Sequence, residues 1–381
     1  PKRGEYQGEC AKYFLRLSGK KTMTQFTQDS ELGSTQGKET SGRSHLAIAM
    51  IELRRVLVVV FLTLLVLLAV TFFLGRVMPT DPVLAVIGEQ ADESTYQTVY
   101  KELGLDKPLV VQFGIYIKDI AAGNFGIART TGNPVIDDIR RVLPATFELA
   151  TLSLILGVIA GVPLGILAAV RRNSALDHGV RFFSLLGHSI PNFWLCMMAL
   201  VVFYAHFGWI GGSGRVSIFF IDTVDPVTGS ILVDSIIAQN WEVLGNALRH
   251  VIMPALILAS GSMAFISRMT RSFMLEQLSQ EYIITARVKG LSRGRVVYHA
   301  FRNIKIQLVT IIILSYGGLL DGAVLTETVF AWPGFGQYLT SGLMNSDMNA
   351  VLGCVLLVGV TFVSLNLLAD ALYRILDPRT R

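Results

Sequence analysis

Residues 56–74 read VLVVVFLTLLVLLAVTFFL, an apolar run that contains no charged residue. A helix rises about 1.5 Å per residue, so this run is long enough to cross a hydrocarbon core of about 30 Å. Arg54 and Arg55 precede it and are expected to hold its leading end in the cytoplasm. The whole chain has the same character, because 52% of its 381 residues are hydrophobic, only 16% are charged and the mean hydropathy is +0.52. We therefore predict an all-α integral membrane protein.

Further apolar runs predict how the chain is divided. They bring the prediction to six transmembrane helices, the other five lying at about 147–170, 183–207, 250–265, 306–329 and 351–372. Residues 1–49 are polar without helical or strand periodicity, and we expect a disordered tail. Residues 50–143 combine the first span with an external segment that is too charged to cross a membrane, and residues 144–381 form the core transmembrane domain. One hypothesis is that residues 1–49 are an extension upstream of a start at Met50, which peptides from this region in native membranes would contradict.

The charges in the loops predict the orientation of the chain. Between the fourth and fifth spans, Glu276 and Glu281 are outnumbered by Arg268, Arg271, Arg287, Lys289, Arg293, Arg295, Arg302 and Lys305. The positive-inside rule places this loop, with its basic part at 276–305, in the cytoplasm. Both termini are then cytoplasmic, and the loops at 75–143, 208–249 and 330–349 face outward.

Several kinds of chemical site are absent from the sequence. No GxxxxGK[ST] phosphate loop occurs, since SGKKT lacks the upstream glycine, so the chain is not expected to hydrolyse ATP by itself. No HExxH motif occurs, and neither the six histidines nor the three cysteines have metal-ligand spacing. We expect no catalytic residue, no metal and no cofactor in this chain. The basic residues lie beside apolar spans and form no nucleic-acid-binding module, so no nucleic acid partner is expected either.

Glycines in the second span predict close helix packing. Gly157, Gly161 and Gly165 are spaced four apart, so they lie on one face of a helix and allow a neighbour to approach. Pro163 lies among them and is expected to kink the helix. Packing and a transport hinge explain that proline about equally well.

Acidic residues at membrane depth are candidates for function, because burying a charge in lipid is costly. Asp321, in SYGGLLDGAVLTE, is the clearest of them. It either lines a polar translocation path or forms a helix-to-helix hydrogen bond between subunits. Glu148, Glu327 and Asp370 lie nearer the ends of spans, and we expect them at the membrane interface.

The basic segment at 281–303 reads EYIITARVKGLSRGRVVYHAFRN. On a helix, Tyr282, Ala286 and either Lys289 or Gly290 follow a spacing of three to four residues and give a small, partly aromatic face beside a basic one. Gly290 is expected to end this helix, and Ser292 to cap a second short helix after a tight turn. Binding of anionic lipid headgroups would explain the basic residues. It does not explain the small Ala286 and Gly290, which suit insertion into a groove of another protein.

At these residues the chain resembles the permease subunits of binding-protein-dependent ABC importers, in the dipeptide, oligopeptide and nickel branch. EYIITARVKGLS is similar to the coupling loop of that family. The likeness extends over residues 51–381 through KELGLDKPLVVQFGIYI, GNFG, LPATFEL, SIPNFW, GGLLDGAVLTETVFAWPGFG and YRILDPR. The resemblance implies a type I importer permease fold.

The resemblance also implies partners. They are a second homologous permease subunit, two ATP-binding cassette subunits that bind ATP and Mg, an external solute-binding protein and the lipid of a bacterial inner membrane. The coupling loop would lie in a cleft of the ATPase, through Glu281, Tyr282, Ala286, Arg287, Lys289, Gly290, Leu291 and Ser292. Closure of the ATPase pair would then rock the spans between inward and outward states.

The run ETVFAWPGFG matches an outer motif of the same family. The resemblance places Glu327, Trp332, Pro333 and Gly334 near the external gate, and a simple turn after the fifth span is the alternative. Two positions depart from the family pattern: Gln307 stands where a proline usually closes the coupling region, and Asp321 where a small uncharged residue is expected.

The function predicted from these features is an ATP-driven importer of di- or oligopeptides. Nickel chelates or another small solute handled by the same machinery remain the alternative. A self-contained secondary transporter would need a coupling-ion site and preferably an internal repeat, neither of which the sequence shows. An intramembrane hydrolase would need a paired nucleophile and base, which the sequence does not show at plausible positions.

Overall fold

The computed structural model describes residues 41–77, 83–84, 92–102 and 104–376. The chain divides into two units, residues 1–62 and 63–381. The described part of the first unit is helical. The described part of the second consists of helices joined by loops, with one isolated β-bridge between Ile127 and Pro134. The predicted all-α class is confirmed.

The described helices follow one another along the chain. They are α1 (Ser41–Val77), α2 (Glu93–Glu102), α3 (Leu109–Ala121), α4 (Val135–Val170), α5 (Ala175–Ser189), α6 (Asn192–Ala199), α7 (Ile231–Ile237), α8 (Trp241–Leu278), α9 (Glu281–Val288), α10 (Arg293–Val329), α11 (Phe335–Met344) and α12 (Met348–Leu376). A π-helical stretch, Leu200–His206, continues α6, and a short 3₁₀ turn covers Ile218–Phe220.

Within the described residues, five helices are long and apolar enough to cross a membrane. They cover Val56–Gly75, Val135–Val170, Trp241–Leu278, Arg293–Val329 and Met348–Ala369. The segments Ala175–Gly187 and Asn192–His206 together form a further candidate, bent by 93°. Pro191 lies in the bend, and it favours the extended backbone seen at Ile190 (φ −86°, ψ 126°). Counted as one span, this pair brings the total to the six that the sequence predicts.

Several helices are longer than the apolar runs that revealed them. α8 has 38 residues and would be about 57 Å long, well beyond a hydrocarbon core of about 30 Å. Hydropathy finds only the apolar middle of such a helix, so its polar ends escape prediction. α1 likewise begins at Ser41, so residues 41–49 are helical where a disordered tail was expected. Residues 1–40 lie outside the described part of the chain.

Three helices, α4, α8 and α10, pack together and form the main part of the buried core of the bundle. Together with Trp332, from the turn after α10, they form a buried cluster of Ala145, Leu149, Ala150, Val251, Ala255, Leu258, Leu319 and Ala323. Alanines make up much of this cluster, and small side chains let helix backbones approach in a membrane, where dispersion and packing rather than water exclusion hold helices together.

The segment between the first two spans is packed against α1 and the later loops. The Tyr116 hydroxyl of α3 lies 3.1 Å from that of Thr71, and Phe72 contacts the Phe113 ring at 5.3 Å between centroids. Burial raises the pKa of Tyr116. Thr130 donates from its backbone N–H and its hydroxyl to Asp347 Oδ2, at 2.8 and 2.7 Å. Loops that the sequence assigns to one side of the membrane are therefore in contact.

Candidate functional site

Helix α9 begins the segment that resembles a coupling loop, and it ends in a Schellman turn. The Gly290 N–H donates to Arg287 O at 2.9 Å, and the Leu291 N–H donates to Ala286 O at 3.2 Å. Gly290 has φ +77°, a left-handed conformation that costs other residues about 1–2 kcal/mol. The turn thus gives Gly290 a local reason to be glycine. No described residue lies within 4 Å of a Cβ placed there, so the turn stands clear of the bundle.

One side chain anchors this segment while most of the others are exposed. Ile283 is fully buried in a cluster with Ala169, Met274, Val296, Ala300 and Ile304. Ala286 and Leu291 are half-buried against the same cluster. The remaining residues singled out from the sequence are exposed, namely Glu281, Tyr282, Arg287, Lys289, Gly290 and Ser292. Residues 281–292, here called the platform, are therefore anchored by Ile283 and present an exposed surface of basic, polar and aromatic side chains.

The second helix of the segment is longer than the sequence suggested. Ser292 stands at the N-cap of α10, but its side chain makes no capping bond within the described structure. α10 has 37 residues and runs from Arg293 to Val329, so the expected short helix is in fact the start of the fifth span. Gln307 lies within it without a break. The turn at 289–292 is consequently joined to the membrane by one continuous helix.

A buried ion pair ties α5 to α8 on the same side of the bundle. Arg271 Nε and Nη2 donate to the two carboxylate oxygens of Asp177, at 2.6 and 2.8 Å, and the Asn173 N–H donates to Oδ2 at 3.0 Å. The Asp177 side chain is fully buried. Sequence reasoning missed this pair because the partners are far apart along the chain; the acidic residue just after a Ser174 cap was the available signal.

The glycine stripe of α4 lies directly against α8. A Cβ on Gly161 would come 3.0 Å from Met263 O, and one on Gly165 would come 2.6 Å from Ser267 O. Both distances are shorter than side chains tolerate without movement. Gly157 faces Ser262 in the same way. Pro163 lies in this helix, which continues through it from Val135 to Val170.

The outer motif forms a compact helix–turn–helix whose polar groups point inward. Glu327, at the end of α10, accepts hydrogen bonds through Oε2 from the N–H groups of Gly336 and Gln337, at 2.7 and 3.3 Å. It thereby caps the N-terminus of α11. Trp332 is fully buried and donates from Nε1 to Ala145 O at 3.0 Å, while Pro333 is exposed. Gly334 is buried in the turn.

Two acidic residues that the sequence places near the membrane interface are buried within the protein. Glu327 is 0% exposed. The Glu148 carboxylate accepts hydrogen bonds from Arg215 Nη2, from Ser230 Oγ at 2.8 Å and from the Leu232 N–H at 2.8 Å. Hydropathy could not reveal the burial of Glu148, because its partners come from a loop distant in sequence. The side chain of Asp370 lies outside the described structure.

The loop that holds Glu148 also contacts the outer motif. Arg215 lies over the Trp332 ring at 5.7 Å from its centroid, and the Gly214 N–H donates to Phe330 O at 2.8 Å. The loop after the third span, the second span and the turn after the fifth span are therefore one connected structure around Glu148 and Trp332.

Asp321 is exposed on the surface of this chain, in the middle of α10. It belongs to a stripe of exposed residues at helical spacing: Gln307, Leu314, Gly318, Asp321 and Leu325. Among the described residues its carboxylate has no hydrogen-bond or ion-pair partner. Next to it, a Cβ on Gly322 would lie 3.7 Å from Asn192 Nδ2 at the start of α6. Within the described ranges, no group of three or more His, Cys, Asp or Glu could hold a metal.

Comparison with known proteins gives consistent matches. The family model for the binding-protein-dependent transport system inner membrane component matches residues 161–381, and the N-terminal model of such components matches residues 49–150. The chain is 43% identical over 314 residues to the "Probable D,D-dipeptide transport system permease protein DdpB" of Escherichia coli (strain K12), covering 81% of this chain and 91% of the relative.

Two further relatives bear similar names. The chain is 42% identical over 317 residues to the dipeptide transport system permease protein DppB of Escherichia coli (strain K12), covering 82% and 93% of the two chains. It is 40% identical over 313 residues to the di/tripeptide transport system permease protein DppB of Pseudomonas aeruginosa (strain UCBPP-PA14), with the same coverage.

The spans and the exposed helix–turn platform define a multi-pass membrane component of a transport system. The chain belongs to the family of binding-protein-dependent transport system inner membrane components. It is thus a permease of the inner membrane, as the resemblance of EYIITARVKGLS and ETVFAWPGFG suggested. Membership of this family implies a solute-binding protein and ATPase partners.

Proposed function

We propose that this chain forms half of the translocation pathway of a peptide importer driven by ATP. It pairs with a second, homologous permease, and two ATP-binding cassette subunits supply the ATP and Mg sites. An external solute-binding protein delivers the peptide. Peptides are favoured over nickel chelates because the relatives named above, which match along most of their length, are named for dipeptides or tripeptides.

The observation that carries this proposal is the joint between α9 and α10. Burial of Ile283 holds the exposed platform against the bundle, and the hydrogen bonds of the Schellman turn at Gly290 fix the end of its helix. Beyond Ser292 it passes directly into a 37-residue helix that reaches the outer motif. A rigid helix transmits displacement along its axis with little loss, so movement of the platform by an ATPase would reach Glu327 and Trp332.

The orientation follows from the charges. The platform and its neighbouring arginines lie in the cytoplasm together with both termini, and the outer motif lies on the opposite face. Reaction of single cysteines placed at Ser292 and Pro333, both exposed, with a membrane-impermeant maleimide tests this. In intact spheroplasts, labelling at position 333 and protection at position 292 is the expected result.

The exposed stripe of α10 is the part of this chain that we assign to the pathway. An isolated carboxylate facing lipid costs several kcal/mol, so Asp321 is expected to face water or a polar partner. Gly318, one turn away on the same stripe, has no described neighbour within 4 Å of a Cβ and leaves room beside it. A water-accessible groove along this stripe would let a peptide pass.

Uptake in a defined system tests the proposal. The complex of both permeases and both ATPases is reconstituted in liposomes, and the binding protein is added with labelled dialanine or with nickel–histidine. ATP-dependent accumulation of dialanine is expected. Accumulation of the nickel complex alone would assign the alternative substrate, and uptake by this chain without ATPase subunits would contradict the importer mechanism.

A further inference from the structure

A cavity of about 400 Å³ lies between the loop that follows Leu200–His206 and the first turns of α8. Its polar lining includes Tyr204, Trp209, Ser213, Asn246, Arg249 and His250. This volume is within the range of small-molecule sites, which are clefts or cavities with a few polar groups in their walls. Neither the coupling platform nor the outer motif uses these side chains.

The walls of the cavity are held by specific contacts. The Gly211 N–H donates to Arg249 O at 2.8 Å, and the Ser217 N–H donates to Asn246 Oδ1 at 2.8 Å. Asn246 Nδ2 returns a bond to Ser217 Oγ at 2.9 Å. A Cβ on Gly212 would lie 2.8 Å from the Tyr204 ring, so the loop backbone rests against that side chain. The cavity is therefore a built part of the fold.

The lining is suited to an anion. The loop at 208–249 contains two arginines, and Arg215 is paired with Glu148. The guanidinium of Arg249, by contrast, has no hydrogen-bond or ion-pair partner among the described residues. His250 is 5% exposed, and its Nδ1 lies 2.9 Å from Asn246 O, which leaves Nε2 for another partner. A guanidinium presents several donors in a fixed fork that matches phosphate or carboxylate oxygens.

The surroundings favour a lipid as the source of this anion. Phe207 and Trp209 stack with their ring centroids 4.6 Å apart, and both are exposed at the end of a candidate span. Leu248 and Ile252 are exposed on the same helix as Arg249. Aromatic residues beside an apolar helix face are typical of the level of lipid headgroups. At that level an unpaired arginine meets the phosphates of the bilayer.

We propose that this cavity binds the phosphate of a phospholipid headgroup, with Arg249 as its main contact and the acyl chains lying along Leu248 and Ile252. The bound lipid bridges the end of the third span and the start of α8. Assignment to the outer leaflet rests on the proposed orientation. Binding itself does not, so a failure of the orientation and a failure of the lipid site are distinguishable.

Native mass spectrometry of the purified complex, titrated with dioleoylphosphatidylglycerol, tests the site. Arg249→Gln is expected to lose one retained lipid per copy of this chain, with about tenfold weaker binding, the scale of one charged hydrogen bond. Arg140→Gln is the matched control, because Arg140 is an exposed arginine paired only loosely with Asp137, at 3.6 Å. This control is expected to retain the wild-type number of lipids.

A second variant tests the same site without changing Arg249, so that loss of lipid does not depend on the folding of one variant. Ser213→Trp fills the cavity while keeping Arg249, and it is expected to lose the same lipid. Unchanged lipid retention in both variants would overturn the proposal. Displacement of the lipid by dialanine or inorganic phosphate at millimolar concentration would also overturn it, assigning the cavity to a free anion. Loss of the second permease from Arg249→Gln, with lipid retained, would assign the arginine to a subunit interface.

Discussion

Arg271 and Asp177 form a two-pronged ion pair, with Nε and Nη2 donating at 2.6 and 2.8 Å. Asp177 lies in the first turn of α5 and Arg271 in the last third of α8, on the side that the platform occupies. The pair fixes the start of the bent third span to the helix that leads into the platform. We infer that it keeps these helices moving together.

Breaking this pair should destabilise the bundle. Arg271→Gln leaves the buried Asp177 carboxylate without its main partner, and the expected loss is about 3–5 kcal/mol of unfolding free energy. Thermal unfolding of the detergent-solubilised complex measures it. Arg140→Gln is the control, since its pair with Asp137 is exposed and is worth about 0–1 kcal/mol. Equal stability of the two variants would show that the buried pair is dispensable.

Gly165→Ala should disturb the contact between α4 and α8. The added carbon would lie 2.6 Å from Ser267 O and 2.7 Å from Thr270 Cβ, and such overpacking costs about 1–3 kcal/mol. Gly261→Ala, in α8 itself, is the matched control, because no described atom lies within 4 Å of its Cβ. There the better helix propensity of alanine should leave the melting temperature unchanged or higher. A melting temperature lowered equally in both would contradict close packing at Gly165.

Glu327→Ala should loosen the outer motif. It leaves the N–H groups of Gly336 and Gln337 unpaired at the buried start of α11, at a cost of about 2 kcal/mol or more. Glu327→Gln keeps an acceptor oxygen and should retain most of the stability. Hydrogen exchange over residues 333–344 reports the difference. Exchange that is as slow in the alanine variant as in the wild type would argue against a capping role.

Asp321→Asn should impair transport without affecting folding. The side chain is exposed and has no described partner, so a change in stability within about 0.5 kcal/mol is expected. ATP-dependent uptake of dialanine should fall by about tenfold if the carboxylate lines the pathway. Glu242→Gln, an exposed acid at the start of α8, should transport normally. Wild-type uptake by Asp321→Asn would remove Asp321 from the pathway.

The sequence predicted the all-α membrane fold class, the number of spans and the glycine face of the second span. Each of these follows from the local pattern of apolar and small residues along a helix. It also located the left-handed turn at Gly290, where Lys-Gly closes a helix. The burial of Glu148 and Glu327 within the protein was not predicted. Glu327 accepts from the Gly336 N–H, nine residues further on, and Arg215 is brought close to Glu148 only by the tertiary fold. The Asp177–Arg271 pair was missed for the same reason. Pairings of this kind have no local signature in a single sequence.

We propose that the platform at 281–292 couples closure of the ATPase pair to movement of the pore. Gly290→Val forces a branched residue into the conformation at φ +77° and should distort the turn, while Gly290→Asn tolerates that conformation and should preserve it. The measurement is substrate-stimulated ATPase activity of the reconstituted complex, with assembly checked by gel filtration. Loss of stimulation in the assembled valine variant, with stimulation retained in the asparagine variant, is the predicted result. Full stimulation in the valine variant would contradict the account and leave the segment as an orienting or lipid-binding element.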